Sequence, residues 1–362
     1  MKWIYDLSHE QLITEVTAAG LKKFVVDQVF QWLYLKNIQD MEQWSNISKE
    51  NRLALAYQYN TGHNTILDIK SDDQGTQKLL LELHDKEKIE AVSIKERDHY
   101  TFCLSTQVGC ALGCKFCATG KLGFKRNLSA GEILCQILLL KKNLQTYTGK
   151  INLVFMGMGE PLLNYENLSQ ALHIITAEKG ICISPRHITL STAGILKRLQ
   201  QFEFDFPNIK ISFSLNAPDT TTRQQLMPIT HKESLASLLN HFRSVSRKHR
   251  ITFEYVLLKG VNDSLEHAAK LSVLLKGIAC KINLIPYNEN NGLPYKTPDT
   301  KTVDSFSQYL YSRGYTVVVR WSKGRDIKSA CGQLAAQALI LLPVPEPESY
   351  PLKNEKEIQD IR

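Results

Sequence analysis

No run in this 362-residue sequence approaches the roughly 18 consecutive apolar residues that a membrane-crossing helix needs. The opening Met1-Lys-Trp-Ile-Tyr-Asp6 has no apolar segment of the signal-peptide kind. Both absences make a cytoplasmic protein without membrane contact the expectation, and that compartment keeps thiols reduced. The eight cysteines are then free thiols or chemical groups rather than a disulfide framework. Acid is scarce in three stretches. Seven Lys and Arg stand against Glu132 alone over 115–150, six against two acids over 232–259, and five against one over 313–328. Residues 1–64 show no such excess, and the end from Pro343 is acidic and Pro-rich. A basic bias concentrated in segments suits a polyanionic partner, most simply nucleic acid, although excess surface lysine reads the same way.

A close fourth cysteine is also missing. Cys110, Cys114 and Cys117 stand in the spacing C-x3-C-x2-C within residues 107–120. Thiolates are the usual ligands of iron–sulfur clusters, and a complete [4Fe–4S] site takes four. Three thiolates leave one iron open to a chelating molecule such as S-adenosylmethionine (SAM). Zinc more often shows paired C-x2-C knuckles or added histidines. His99 upstream makes no such pattern, but zinc and three structural thiols remain alternatives at this point.

The chain is long enough for one large α/β domain with one or two small modules. Apolar residues recur at helical spacing over 1–64, where Trp32, Tyr34 and Trp44 read as core aromatics, with RNA contact as the alternative. Over 65–100, apolar stretches at 65–70, 78–83 and 89–94 are separated by turn-forming 71–75 and 84–88, which predicts a small antiparallel sheet. From 101 onward strands and helices alternate. Strands are expected at 100–105, 151–156, 187–191, 209–215, 251–257, 281–285 and 315–320. Helices are expected from Ser129, whose S-x-x-E with Glu132 is a capping box, and at 165–179, 194–201, 232–248, 264–276 and 302–312. Repeated βα units imply parallel pairing with right-handed crossovers. The expected fold is therefore α/β, an incomplete (β/α)6-type barrel over 101–342. It carries a helical module at 1–64, an antiparallel β extension at 65–100 and a flexible tail at 343–362. In such barrels chemistry sits at the C-terminal strand ends.

Candidate residues fall at those ends. Gly157-Met-Gly-Glu-Pro161 follows the second strand, where glycine admits close backbone approach. Glu160 can there accept from the ammonium of a bound amino acid. Ser191, Ser214, Asn216 and Asn288 end or follow later strands and suit ribose, carboxylate or adenine, although loop polar residues are common. Cys331 lies past the last strand near Lys323, Arg325 and Lys328, cations of the kind that favour a thiolate. Cys103 is its candidate partner. Cys135, Cys182 and Cys280 read as core filler.

Four segments taken together, Cys103 with Cys110-x3-Cys114-x2-Cys117, residues 155–164, 190–194 and 330–334, resemble the RlmN/Cfr family of radical-SAM RNA adenosine methyltransferases. The likeness covers nearly the whole chain, including 260–267. Residues 159–164 and 280–288 look more like the RlmN branch, which methylates adenine C2, than the Cfr branch, which methylates C8 and confers antibiotic resistance. The resemblance implies a [4Fe–4S] cluster on Cys110, Cys114 and Cys117. It implies SAM held by Gly159, Glu160, Ser191, Ser214, Asn216 and Asn288, with two SAM consumed per turnover. By the same likeness Cys331 takes a methyl group from the first SAM. A 5′-deoxyadenosyl radical from the second then removes a hydrogen from that methyl, and the resulting carbon radical adds to adenine. Glu90 matches the proton acceptor, although its run Lys86-Glu-Lys-Ile-Glu90 holds nothing local that raises a carboxyl pKa. Cys103 resolves the protein–RNA crosslink by forming a disulfide with Cys331. Asn216 stands where the family often has histidine, and it can still donate and accept. The implied partners are 23S rRNA near the peptidyl-transferase centre, tRNA next to the anticodon, and an electron donor such as flavodoxin. The implied working form is a monomer. The competing class is a non-enzymatic metal-cluster RNA-binding protein.

Overall fold

The computed structural model describes residues 1–144, 149–290 and 292–334. The expected tail, and the last eight residues of the expected 101–342 unit, lie outside the described residues.

The first 64 residues form the expected helical module. Strand β1 (Lys2–Trp3) precedes helices α1 (His9–Ala18), α2 (Phe24–Phe30) and α3 (Lys49–Gln58), and pairs in parallel with β2 (Tyr59–Asn60). Ser8 and Ser48 cap α1 and α3 by accepting backbone N–H bonds. Trp32, Tyr34 and Trp44 are all buried. They fill the module's core, which settles those three in favour of packing.

Three antiparallel strands follow, β3 (Thr65–Ser71), β4 (Gln77–Glu82) and β5 (Lys88–Lys95), and β5 pairs antiparallel with β6 (Tyr100–Cys103). Beyond β6 come the small strands β7 (Gln107–Gly109) and β8 (Phe124–Asn127), flanking the short helix α4 (Ala118–Lys121). The alternating part then runs α5 (Ala130–Lys142), β9 (Ile151–Phe155), α6 (Tyr165–Thr176), β10 (Ile188–Thr192), α7 (Leu196–Asp205) and β11 (Lys210–Ser214). It continues with α8 (Thr220–Leu226), α9 (Leu235–Ser244), β12 (Ile251–Leu257), α10 (Leu265–Leu274), β13 (Cys280–Pro286), α11 (Thr300–Ser312) and β14 (Thr316–Val319).

One sheet holds nearly all of this, in the order β14-β13-β12-β11-β10-β9-β6-β5-β4-β3. From β6 to β14 every pairing is parallel, the incomplete barrel expected. The antiparallel extension is not a separate sheet. It continues the barrel wall through the β5–β6 pair. The two ends, β14 and β3, are not bonded to each other, so the barrel stays open there. The segment after β14 spans the opening. Lys323 Nζ donates to the Lys95 carbonyl (2.7 Å), and Lys78 Nζ donates to the Lys328 carbonyl (2.9 Å).

The capping box at Ser129 and Glu132 is present, and residues 130–140 of α5 are all buried. The N-terminal module docks on that helix, where Asp6 Oδ1 accepts from Gly131 N–H (2.9 Å) and Asn37 Nδ2 donates to the Leu138 carbonyl (2.9 Å). Cys135 and Cys280 are buried as expected, but Cys182 is exposed. It sits at φ +62°, in the turn that leaves α6. Apolar neighbours in sequence mark an element there, but the turn swings this side chain outward.

Candidate active site

The cysteine loop is held at both ends by the β7–β8 hairpin. Gly109 (φ +75°) lets the strands close, since a Cβ there would lie 1.8 Å from the Gly123 carbonyl oxygen. Cys110 N–H donates to that same oxygen (2.8 Å), and Cys117 N–H donates to the Cys114 carbonyl (3.1 Å). The three thiols pack against Leu112, Phe116, Ala193, Met227 and Tyr287. Burial, reinforced by the neighbouring thiols, pushes Cys110 up to about 12 and raises Cys114 as well. Thiols so placed resist ionising alone and become good thiolate ligands once cationic metal neutralises them. Among the described residues no three His, Cys, Asp or Glu side chains are gathered as a ready site for one metal ion. The three thiols instead line one wall of a cavity of about 170 Å³. An all-sulfur set of three on a cavity wall fits an iron–sulfur cluster with one open position.

The same cavity is also lined by Gly159, Glu160, Ser191, Ser214 and Asn216. Gly159 (φ +104°) is required, because a Cβ would sit 2.6 Å from Gln107 Cβ. Glu160 is buried. Its Oε2 accepts from Ala193 N–H (2.8 Å) and its Oε1 from Leu162 N–H (3.1 Å). Burial raises its pKa against those hydrogen bonds, so a cation arriving beside it gains from the interaction. Asn216 is in the left-handed region (φ +56°). Its Oδ1 accepts from Val256 N–H (3.0 Å), and its Nδ2 donates to Met227 Sδ (3.4 Å). Its side chain therefore fixes the ends of β11 and β12 around the cavity.

Arg223, on α8, was not foreseen, and neither was the helix. A short Thr- and Gln-rich stretch shows no apolar period. The guanidinium is fully buried and donates to the Ala193, Ser214 and Leu215 carbonyls and to Thr230 Oγ1 (2.7–3.1 Å). It ties the ends of β10 and β11 together behind Glu160. Burial pulls its pKa down to about 10, opposed by Cys114 and Glu160.

Cys331 lines this cavity and also a second one of about 380 Å³, whose wall includes Cys103. Burial pushes Cys103 up to about 12, with Cys331 adding to the rise and Arg320 opposing it. The expectation that Lys323, Arg325 and Lys328 hold Cys331 as a thiolate is corrected. Lys323 pairs with Glu96 (2.9 Å), Arg325 lies over the Trp321 ring, and Lys328 offers its carbonyl to Lys78. Burial raises the Cys331 pKa, and the cation that opposes the rise is Arg320. Burial disfavours the charge of Arg320 too, but Cys331, Glu254 and Cys103 outweigh it and raise the guanidinium. Only register reveals Arg320: it follows β14 on the same face as Val318, whose row continues through Asn283 to Glu254, and it lines both cavities.

Asn288 is buried against the Cys331 loop. Its Nδ2 donates to Ser322 Oγ (3.0 Å) and the Cys331 carbonyl (3.2 Å), while its Oδ1 has no hydrogen-bond partner among the described residues. Glu254 also lines the first cavity. Its Oε1 accepts from Ser212 Oγ (2.5 Å) and Asn283 Nδ2 (3.0 Å), and its Oε2 is buried without a hydrogen-bond partner among the described residues. Glu90 lies inside the sheet although its sequence neighbours are charged. Glu90 is 1% exposed and faces Lys78 Nζ at 2.9 Å, itself 3% exposed. The Val92↔Cys103 register puts Glu90 on the same sheet face as Cys103.

An open parallel barrel with three thiols and a buried Glu-Pro turn at its strand ends is the arrangement of a radical-SAM enzyme, and residues 104–272 match the Radical SAM superfamily. Residues 2–60 match the ribosomal RNA large subunit methyltransferase N-terminal domain. The dual-specificity RNA methyltransferase RlmN of Desulfosudis oleivorans is 43% identical over 336 residues, 92% of this chain and 90% of the relative. That of Syntrophus aciditrophicus is 41% identical over 93% of this chain and 97% of its own length. A crystal structure of a radical SAM methyltransferase from Sphaerobacter thermophilus superposes with a TM-score of 0.88 at 36% identity, covering 93% of this chain and all of that one. The chain belongs to the RlmN family of radical-SAM RNA methyltransferases. Membership implies a [4Fe–4S] cluster and SAM as cofactors, RNA as substrate and methyl transfer as the reaction. Among the described residues no helix is long and apolar enough to cross a membrane.

Proposed function

We propose that this chain methylates C2 of an adenosine in 23S rRNA and of the adenosine next to the tRNA anticodon, using two SAM per methyl group delivered. Relatives named as dual-specificity RNA methyltransferases support the substrate pair. The observation that carries the chemistry is Cys331, which borders both the cavity of the three thiols and the cavity of Cys103.

In this reading Cys110, Cys114 and Cys117 bind the cluster as thiolates. The Gly159–Glu160 turn receives the methionine ammonium, and the strand-end residues Ser191, Ser214 and Asn216 line the adenosyl part. Asn288 contributes its Oδ1. A bound cluster would supply the one-electron chemistry, both the electron that frees a hydrogen-abstracting radical from SAM and a sink for the electron given up by the RNA adduct. Everything else falls to side chains. Cys331, deprotonated beside Arg320, takes a methyl group, and its methylene carbon later bonds adenine C2. Glu90 accepts the C2 proton. The Cys103 thiolate attacks the Cys331 sulfur and breaks its bond to carbon; the electron pair leaves with that carbon, which takes up a proton to become the methyl group of the RNA, and the two sulfurs remain as a disulfide. Direct displacement is excluded by chemistry, since adenine C2 and the SAM methyl are both electrophilic. The target base leaves its stack to reach these groups. Residues 1–64 act as an RNA-binding accessory module, 65–100 as a wall extension and 101–342 as the catalytic unit. The protein works as a cytoplasmic monomer, supplied with electrons by a donor such as flavodoxin.

The test is anaerobic reconstitution with iron and sulfide, then reductant, methyl-deuterated SAM and unmodified 23S rRNA, followed by nucleoside mass spectrometry. Labelled 2-methyladenosine is expected. Labelled 8-methyladenosine would move the chain to C8 chemistry, and no labelled adenosine from cluster-loaded protein would overturn the reading.

A further inference from the structure

The second cavity has a wall that the two cysteines do not explain. At about 380 Å³ it falls in the range of small-ligand pockets. Ile94, Val154 and Val318 give it apolar sides. Trp321 also lines it and is 44% exposed, so part of its ring is open to a ligand. The Arg325 guanidinium lies 5.0 Å from the ring centroid. The charged groups of the wall itself are Arg320, Lys323 and Glu96. Lys323 is paired with Glu96 (2.9 Å) and Arg320 faces Cys331 and Glu254, so the cation offered to a phosphate is Arg325, beside the ring.

The ring is held in place by its own loop. Lys323 is bound to the Lys95 carbonyl and to Glu96, and Lys78 holds the Lys328 carbonyl. Between them Ser329 N–H and Oγ both donate to the Gly324 carbonyl (2.8 and 3.0 Å). Trp321 and Arg325 thus stand on a loop pinned at both ends, next to Cys331 and Cys103. An apolar-sided cavity with an indole ring in its wall and a guanidinium beside that ring matches a nucleobase that carries its phosphates with it.

We infer that this cavity seats a nucleobase of the RNA substrate and that Trp321, with Arg325 beside it, is the stacking platform at its mouth. This rests on the RNA reading above. Trp321 is a positioning residue. It sets where the base lies relative to Cys331 and takes no part in bond making.

The test uses cluster-loaded protein without reductant and an unmodified 23S rRNA fragment, at one fixed salt concentration. RNA should quench tryptophan emission in the parent protein, and Trp321→Phe should abolish that quenching while keeping Kd within about threefold. Trp321→Ala should weaken binding roughly 5- to 100-fold, the span for losing one base–aromatic stack. Under turnover its KM for RNA should rise more than its kcat falls. Arg325→Ala should weaken binding less and flatten its salt dependence. Melting temperature and cluster content separate loss of folding from loss of stacking. If Trp321→Ala does not fold, quenching in the parent and its loss in Trp321→Phe decide. Unchanged Kd and KM in a folded Trp321→Ala, or quenching that survives in Trp321→Phe, overturns the inference. Such a result, with parent methylation intact, leaves the methyltransferase reading standing. Absence of methylation by the parent removes that reading instead.

Discussion

Replacing Lys78 by Met removes the ammonium that faces Glu90 inside the sheet. Both side chains are almost wholly out of water and their charged atoms lie 2.9 Å apart. Deleting one member of a buried ion pair costs about 3–5 kcal/mol, because the remaining charge stays buried. An exposed pair contributes only about 0–1 kcal/mol. Lys78 also donates to the Lys328 carbonyl, a bond of about 1 kcal/mol net. The expected loss is therefore about 4–6 kcal/mol. Adding Glu90→Leu to Lys78→Met should recover most of it, since no buried charge is then left. Urea unfolding of the cluster-loaded protein, followed by circular dichroism without oxygen, reads both variants. A single variant within about 1 kcal/mol of the parent, or a double variant no better than the single, would refute the buried-pair reasoning.

Three further outcomes are expected. Gly159→Ala forces a Cβ against Gln107 and a side chain into positive φ, so SAM affinity measured by equilibrium dialysis should fall more than about tenfold. Arg223→Lys cannot reach four acceptors spread over β10, β11 and Thr230. It should lower both melting temperature and SAM affinity, by about 2–4 kcal/mol in stability, and a melting curve unchanged from the parent would argue against it. Burial lifts the Cys103 and Cys110 thiols from 9.0 in the ordinary state to about 12 in the fold. Their contribution to the cluster-free protein is thus fully present below pH 9 and is lost as pH rises toward 12. Chemical denaturation between pH 8 and 10.5 should show that decline, and a Cys103→Ala, Cys110→Ala double variant should show less of it.

The alternation of strands and helices was legible because burial imposes periods of two and 3.6 on the apolar residues, as in 151–155 and 165–176. The cysteine spacing and the Gly-Glu-Pro turn were legible because backbone reach fixes such motifs locally. What escaped depends on distant strands meeting. Glu90 looks solvated among Lys86, Glu87 and Lys88, yet it is buried once β4 places Leu80 across from it and Lys78, opposite Val92, on the diagonal. Arg320 looks like one more basic residue until the sheet curls and turns it toward Cys331. The β7–β8 hairpin is too short to show a period, and α8 carries no apolar stripe.

The central claim is that Cys331 bonds the RNA and Cys103 releases it. Cluster-loaded Cys103→Ala protein, incubated with reductant, SAM and unmodified 23S rRNA, would be digested with nuclease and protease and sequenced by mass spectrometry. The expected result is an adenosine joined through a single carbon to Cys331, with little free methyladenosine. Parent-like yields of free methyladenosine and no adduct on Cys331 would contradict the two-cysteine mechanism.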